Sequence, residues 1–305
     1  MQRRQFLASI GQFPMLATVG VIPWAARASV TIGDATLTSV SDGSLVLPDT
    51  FFFATMPQDE LAVIRQSFGI TGNQIKPPCN AALLQSQDRT VLFDVGAGQE
   101  FMPTAGRLMD DLDALGVAPD DITDVVFTHA HPDHLWGLLD DFGDPFFTQA
   151  RFFMGRTEFE YWMNPNTVDE IGDARAAFAV GAKRRIDLIS DQLNLFSDGE
   201  EILPGVAARA SFGHTPGHMA FEVRAGSEAT MIVGDSIANH HVAFVRPDWA
   251  SGGDQDPEQG AKTRISLLDQ LSHDQTRILG FHLPNGGIGR VIRKDGAYTF
   301  VAEAT

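Results

Sequence analysis

A single cysteine, Cys79, stands in a chain of 305 residues, so no intramolecular disulfide and no multi-cysteine metal cage can form. Basic residues are scarce too: 22 Lys and Arg face 39 Asp and Glu, for a formal charge of −17. Nucleic acid is bound by clustered Lys and Arg that displace counterions, and the absence of such a cluster argues against that partner. The same deficit disfavours an anionic membrane surface. Beyond residue 28 there is no apolar run of about 18 residues, the length a spanning helix needs. What the chain does have is an apolar fraction of 44%, enough for a buried core, and nine histidines. Any metal must be held by imidazoles and carboxylates.

Residues 1–28 differ from the rest, with Arg3, Arg4 and Arg27 but no acidic residue. Arg3-Arg4-Gln5-Phe6-Leu7 opens a mildly apolar stretch broken by Gly11, Gln12, Pro14 and Gly20, and Ala26-Arg27-Ala28 fits a small-x-small cleavage site. The segment resembles a bacterial twin-arginine export signal. That implies a periplasmic or secreted protein, on a route that carries folded chains, often with a cofactor installed. Cleavage after Ala28 leaves 19 basic against 39 acidic residues, a charge of −20. No linker or low-complexity tract divides residues 29–305, which read as one domain with no further membrane segment.

Short apolar runs recur at Ala81–Leu84, Val91–Phe93, Val125–Phe127, Met231–Val233 and Ile278–Phe281, as strands buried on both faces should. Leu108, Leu112 and Leu115 fall on one face of a helix that Gly116 ends, and a second helix runs through Lys262–Leu271 with Ile265, Leu268 and Leu271 inward. Asp59–Phe68 reads as a short helix. Asn80–Asp94 and Ala220–Asp235 echo one another as strand, polar turn, strand, terminal Asp, and a last hairpin turns at Asp295-Gly296. Two β-rich halves with helices outside predict an α/β protein of sheets packed face to face and covered on both sides.

The densest chemistry is Thr128-His129-Ala130-His131-Pro132-Asp133-His134, directly after the run Val125–Phe127. Residues two apart in an extended segment point the same way, so His129 and His131 can reach one metal. Pro132 suits the first turn of a helix, which aims Asp133 and His134 at a neighbouring point. Imidazole and carboxylate donors suit Zn²⁺ or a similar divalent ion.

This His-x-His-x-Asp-His run resembles the signature of the metallo-β-lactamase superfamily. Phe93-Asp94-Val95-Gly96, Thr215-Pro216-Gly217-His218, Val233-Gly234-Asp235 and Gly280-Phe281-His282-Leu283-Pro284 resemble its other motifs, in order. The resemblance implies a four-layer αββα sandwich with its site at one edge. It implies that His129, His131 and His218 hold one metal, that Asp133, His134 and His282 hold a second, that Asp235 bridges them, and that Asp94 is structural. It also implies two divalent ions, zinc first, with manganese, cobalt or iron as alternatives. Two such ions about 3.5–4 Å apart can share a water and lower its pKa toward about 7, with Asp133 as the catalytic carboxylate that orients it and shuttles its proton.

His214 is expected to support the loop rather than to ligate, His240 and His241 to pack a loop or face a substrate, and His273 to be solvated. Cys79 reads as an apolar filler, and Phe51–Phe53 as core more than as a substrate mouth. Within the superfamily, the Leu47–Phe53 extension and the His-Leu-Pro context resemble methyl parathion hydrolases and acyl-homoserine lactone lactonases. These imply a hydrolase acting on a small-molecule ester, lactone or phosphotriester, with a homodimer as an option. A mononuclear iron dioxygenase of the same fold and a β-lactam hydrolase are the alternatives.

Overall fold

The computed structural model describes residues 27–303. Arg3, Arg4 and the rest of the expected leader up to residue 26 lie outside that range. At its boundary, the Ala28 carbonyl accepts the Ser39 N–H at 2.8 Å and Arg27 meets Asp111 at 2.6 Å.

The apolar runs become the inner strands of two seven-stranded sheets, each laid down in sequence order. The first holds β1 (Ser29–Ile32), β2 (Ala35–Ser44), β3 (Pro78–Gln85), β4 (Thr90–Phe93), β5 (Asp124–Phe127), β6 (Arg151–Gly155) and β7 (Leu193–Phe196). The second holds β8 (Glu201–Leu203), β9 (Val206–Ala210), β10 (Met219–Ala225), β11 (Glu228–Gly234), β12 (Arg277–Gly280), β13 (Ile288–Lys294) and β14 (Ala297–Ala302). Pairing is antiparallel from β1 to β4 and parallel from β4 to β7, while β11–β12 is the parallel pair of the second sheet. The echo in the sequence is thus real: β3–β4 and β10–β11 are corresponding hairpins, each ending in an aspartate. The closing hairpin turns at Asp295 and Gly296, both at positive φ (53° and 82°), as a two-residue hairpin turn requires.

Alternation along the strands explains the four layers. In β5, Val126 faces the space between the sheets, where it packs with Phe93, Phe153, Phe196 and, from the second sheet, Met219, Phe221 and Ile232. Val125 and Phe127 face outward, into a core with Leu108 and Leu112 of α1 (Leu108–Ala114), Trp162 of α2 (Arg156–Met163), and Ala182 and Ile186 of α3 (Ala176–Ile189). On the far side, Leu268 and Leu271 of α4 (Pro257–Asp274) cover Met231, Val233 and Ile278. The helix expected near Lys262 is therefore longer than its apolar spacing shows. Ile265 is only half-buried, and the neighbouring Arg264 is buried at 4% exposure instead.

A fourth cluster joins Phe52, Phe53 and Met56 to Leu61 and Ile64 of the helix Gln58–Ser67 and to Val242 and Trp249. The Phe run is core, as expected, although Phe52 also lines a cavity described below. Cys79 is fully buried, and burial pushes its thiol up to about 12, which suits a filler rather than a nucleophile.

The inter-sheet layer is the adhesive of the sandwich. Phe221 is fully buried, with its ring 5.4 Å from Phe93 and 5.8 Å from Phe196. Replacing Phe221 by Ala should cost about 3–5 kcal/mol. Chemical denaturation that showed no shift in midpoint would contradict this account of how the two sheets adhere.

Candidate metal centre

The site lies at the edge where β4, β5, β11 and β12 end. Asp94 follows β4, residues 128–134 follow β5, Asp235 follows β11, and His282 follows β12 after one residue. His131 is extended (φ −65°, ψ 159°), and Pro132 opens a single helical turn, Pro132–Leu135, that carries Asp133 and His134. The local geometry expected from His-x-His-Pro-Asp-His is therefore present.

Two groups of donor atoms result: His129, His131 and His214 in one, and Asp133, His134, Asp235 and His282 in the other, all seven buried. In the first, His131 Nδ1 lies 3.1 Å from His129 Nε2 and 2.9 Å from His214 Nε2. In the second, His282 Nε2 is 3.2 Å from both Asp133 Oδ2 and Asp235 Oδ2, and His134 Nε2 is 3.3 Å from Asp235 Oδ1. Asp235 Oδ2 also lies 3.3 Å from His214 Nε2, so this carboxylate touches both groups.

The donor set fits two divalent ions. Ligand atoms arranged tetrahedrally at about 2.0–2.2 Å from a metal lie about 3.3–3.6 Å apart. Moreover, Asp133 Oδ2, His134 Nε2 and Asp235 Oδ1 are buried yet make no hydrogen bond despite their closeness. They point at a common centre rather than at each other, an arrangement that is costly unless a cation sits there.

Histidine 218, expected from sequence to be a ligand, does not join the group. Its Nε2 accepts the backbone N–H of Asp235 at 3.0 Å, and its Nδ1 faces Ser211 Oγ at 2.8 Å, so both ring nitrogens are engaged by the protein. Gly234 passes directly over the ring: at φ 49°, an added Cβ would lie 2.6 Å from Nε2. His214 takes the expected place of His218. The two are four apart in Gly213-His214-Thr215-Pro216-Gly217-His218 and share a motif, but only His214 lies on the loop facing the centre. His218 immediately precedes β10 and supports Asp235 from behind.

Asp94 has the structural role expected of it. At φ 63°, its carboxylate accepts the Thr128 N–H at 2.8 Å, the Thr128 hydroxyl at 2.7 Å and His134 Nδ1 at 2.8 Å. Sequence reading missed Glu158, which stands alone on α2 and carries no motif. Its buried carboxylate accepts the Ala130 N–H, the Trp162 indole, the Thr215 hydroxyl and the Gly217 N–H at 2.6–3.0 Å, clamping the loops of His131 and His214 together. His241 caps a short helix through its Nδ1 and packs on Phe53 and Phe68, and both it and His240 line the cavity. His273 is exposed.

Electrostatically the two halves are opposites. Burial and neighbouring imidazoles hold His129 and His131 well below the usual histidine range, leaving neutral lone pairs. Burial also works against a charged His134, but Asp235, Asp133 and Asp94 overcome it and raise His134 to about 10. His282 is raised likewise by Asp235 and Asp133, again against burial. Asp235 is held well below the carboxylate range, the imidazoles of His282 and His134 outweighing its burial.

Residues 76–280 match the family described as Metallo-beta-lactamase superfamily. The chain belongs to the metallo-β-lactamase superfamily. The N-acyl homoserine lactonase AiiB of Agrobacterium fabrum (strain C58) is 34% identical, over 28% of this chain and 40% of that one; the AiiB of Rhizobium rhizogenes (strain K84) is 32% identical over the same shares. The alignment thus spans less than half the length of these relatives. Among solved structures, the hydrolase AbOPH of the β-lactamase superfamily superposes with a TM-score of 0.85 at 26% identity, over 92% of this chain and 98% of that one. The dizinc quorum-quenching lactonase AidC gives 0.86 at 24% identity over the same shares, a likeness of fold. The two-sheet sandwich and the paired donor clusters accord with that family.

Two measurements check the assignment of the centre. His214→Ala should lose one of two bound ions, while His218→Ala should keep both and lower the melting temperature; the reverse would restore His218 as ligand. Because His134 carries a proton up to about pH 10 in the metal-free protein, an incoming ion must displace it. Zn²⁺ uptake at pH 7 should release protons and weaken as pH falls. Calorimetry in buffers of different ionisation enthalpy should show that release, and identical heats in all of them would contradict it.

Proposed function

We propose that this chain is an exported dinuclear hydrolase that opens a lactone, or cleaves a small carboxylic or phosphate ester, of a moderately apolar molecule. The observation that carries the reading is a cavity of about 580 Å³ that reaches His282. Phe52, Ile70, Ile75, Pro77, Pro78 and Ala238 give it apolar walls, and Lys76, Asn80, Asn239, His240 and His241 are among its polar points. An apolar chamber with a few polar groups beside a hydrolytic centre suits a substrate with a greasy tail and an ester-like head. The lactonase relatives favour the lactone among these options.

When bound, two divalent ions, zinc first, supply Lewis acidity and lower the pKa of a water toward about 7. His129, His131 and His214 would hold one, His134, His282 and Asp133 the other, with Asp235 between them. Asp133 then has a second task. Its carboxylate would orient the attacking water, take its proton and return it to the departing oxygen. The half-buried walls of the cavity hold the tail and exclude bulk water from the head.

Purified protein tested on acyl-homoserine lactones, aryl esters, phosphotriesters and a β-lactam, with metal content measured alongside, decides the matter. Lactone turnover with two ions bound supports the proposal. Two ions with no turnover of any lactone or ester defeats the substrate class, and a single iron with oxygen uptake identifies the dioxygenase alternative. Asp133→Asn should lower kcat about 10²–10⁴-fold, the range for a lost general acid–base group. Export is tested separately: replacing Arg3 and Arg4 by Lys should leave the protein in the cytoplasm of a bacterial host.

A further inference from the structure

The three-histidine half of the centre contains no carboxylate of its own, but a short strap, residues 254–256, lies directly behind it. Asp254 Oδ1 is 3.1 Å from His214 Nδ1, and the Gln255 N–H donates to the His214 carbonyl at 3.0 Å. The Gln255 side chain reaches His131 Nε2 at 3.0 Å. The Asp256 N–H donates to the Gly213 carbonyl at 2.9 Å, and its carboxylate caps α4 at Gln259. Two consecutive residues therefore touch two of the three imidazoles, and the third anchors the strap to the same loop.

Behind the strap stands Arg264. Its Nη1 lies 3.2 Å from Asp254 Oδ2, while Nη2 and Nε donate to the carbonyls of Trp249 (2.8 Å) and Pro247 (3.1 Å). Both side chains of the pair are buried, at 5% and 2% exposure. Gly260 closes over them, since a Cβ there would lie 2.5 Å from Asp254 Oδ2. An ion pair that dry holds its geometry, and Arg264 fixes the Asp254 carboxylate where it faces His214 Nδ1.

Proton positions show what the strap does. His214 turns Nε2 to the centre, so its Nδ1 carries the hydrogen that Asp254 accepts. His131 is the mirror case: Nδ1 faces the centre and Nε2 must carry the hydrogen, which then needs an acceptor. Gln255 Oε1 is buried without a partner. Turning the amide over places Oε1 on His131 Nε2–H and satisfies both groups, the usual resolution of an ambiguous amide.

We propose that Asp254, braced by Arg264, and Gln255 are positioning residues that fix the tautomers of His214 and His131 and thereby set the metal affinity of the three-histidine half, independently of the other half. This rests on the reading of the centre as a two-metal site. Outer partners of ligating histidines typically change metal affinity 10–100-fold. Asp94 behind His134 is the counterpart on the other side.

The test is Zn²⁺ and Co²⁺ titration of full-length metal-free protein, read by metal content after dialysis against a weak chelator and by the Co²⁺ visible spectrum. Asp254→Asn should weaken one of two sites 10–100-fold and leave the second unchanged. Because that change leaves Arg264 unpaired, Gln255→Leu provides a second variant with no stranded charge, and it should weaken the same site and alter the same Co²⁺ band. Gln255→Glu, an obligate acceptor, should keep both ions. Folded Gln255→Leu with both affinities and the spectrum unchanged overturns the proposal, as does equal weakening of both sites. Wild-type protein that binds no second ion would instead overturn the two-metal reading itself.

Discussion

Two buried carboxylates with no lysine or arginine paired to them among the described residues, Asp133 and Asp235, set the terms for the rest of this protein. Buried carboxylates are costly unless a cation compensates them, and the fold supplies only imidazoles. His134 and His282 respond by holding protons well above their usual range. His129 and His131, packed among other imidazoles, do the opposite. One half attracts positive charge and the other offers uncharged lone pairs. The sandwich holds both halves in place by letting strands from both sheets end at the same edge, tied by Asp94, Glu158 and Asn80. Asn80 alone donates to the carbonyls of Phe281 and Leu283 on either side of His282.

Much of this is legible in the chain. His129, His131, Asp133 and His134 are adjacent, and their local geometry follows from one strand end and one Pro132-started turn. Asp235 and His282 follow short apolar runs that read as buried strands. The choice between His214 and His218 was not legible, because it depends on how a six-residue loop folds against Glu158 and Gly234 across the sandwich. Glu158, Asp254 and Arg264 were equally silent. Each is a charged residue on or beside a helix, a place where charge normally faces water, and only tertiary packing turned them inward.

The acidic tract shows the same limit. Ten aspartates lie between residues 105 and 145, with Arg107 the only basic residue among them. Most of them are solvated, but Asp133 is not the single buried one. Asp111 and Asp124 are also buried, Asp111 against Arg27 and the Ser41 N–H, Asp124 between Arg89 and Arg151. Their partners come from distant parts of the chain, so sequence-local charge counting assigns them to the surface. The remaining seven do form the acidic exterior.

The sequential strand order of the two sheets has a consequence for how the protein is made. The first sheet and the His129–His134 loop can be completed while the second sheet is still being synthesised, but Asp235 and His282 arrive only with β11 and β12. Until then the early histidines have no lid, and Asp133 has no partner across the edge. Assembly of the centre is therefore among the last events of chain maturation. Only when both halves of the sandwich have closed on each other are all seven donors gathered.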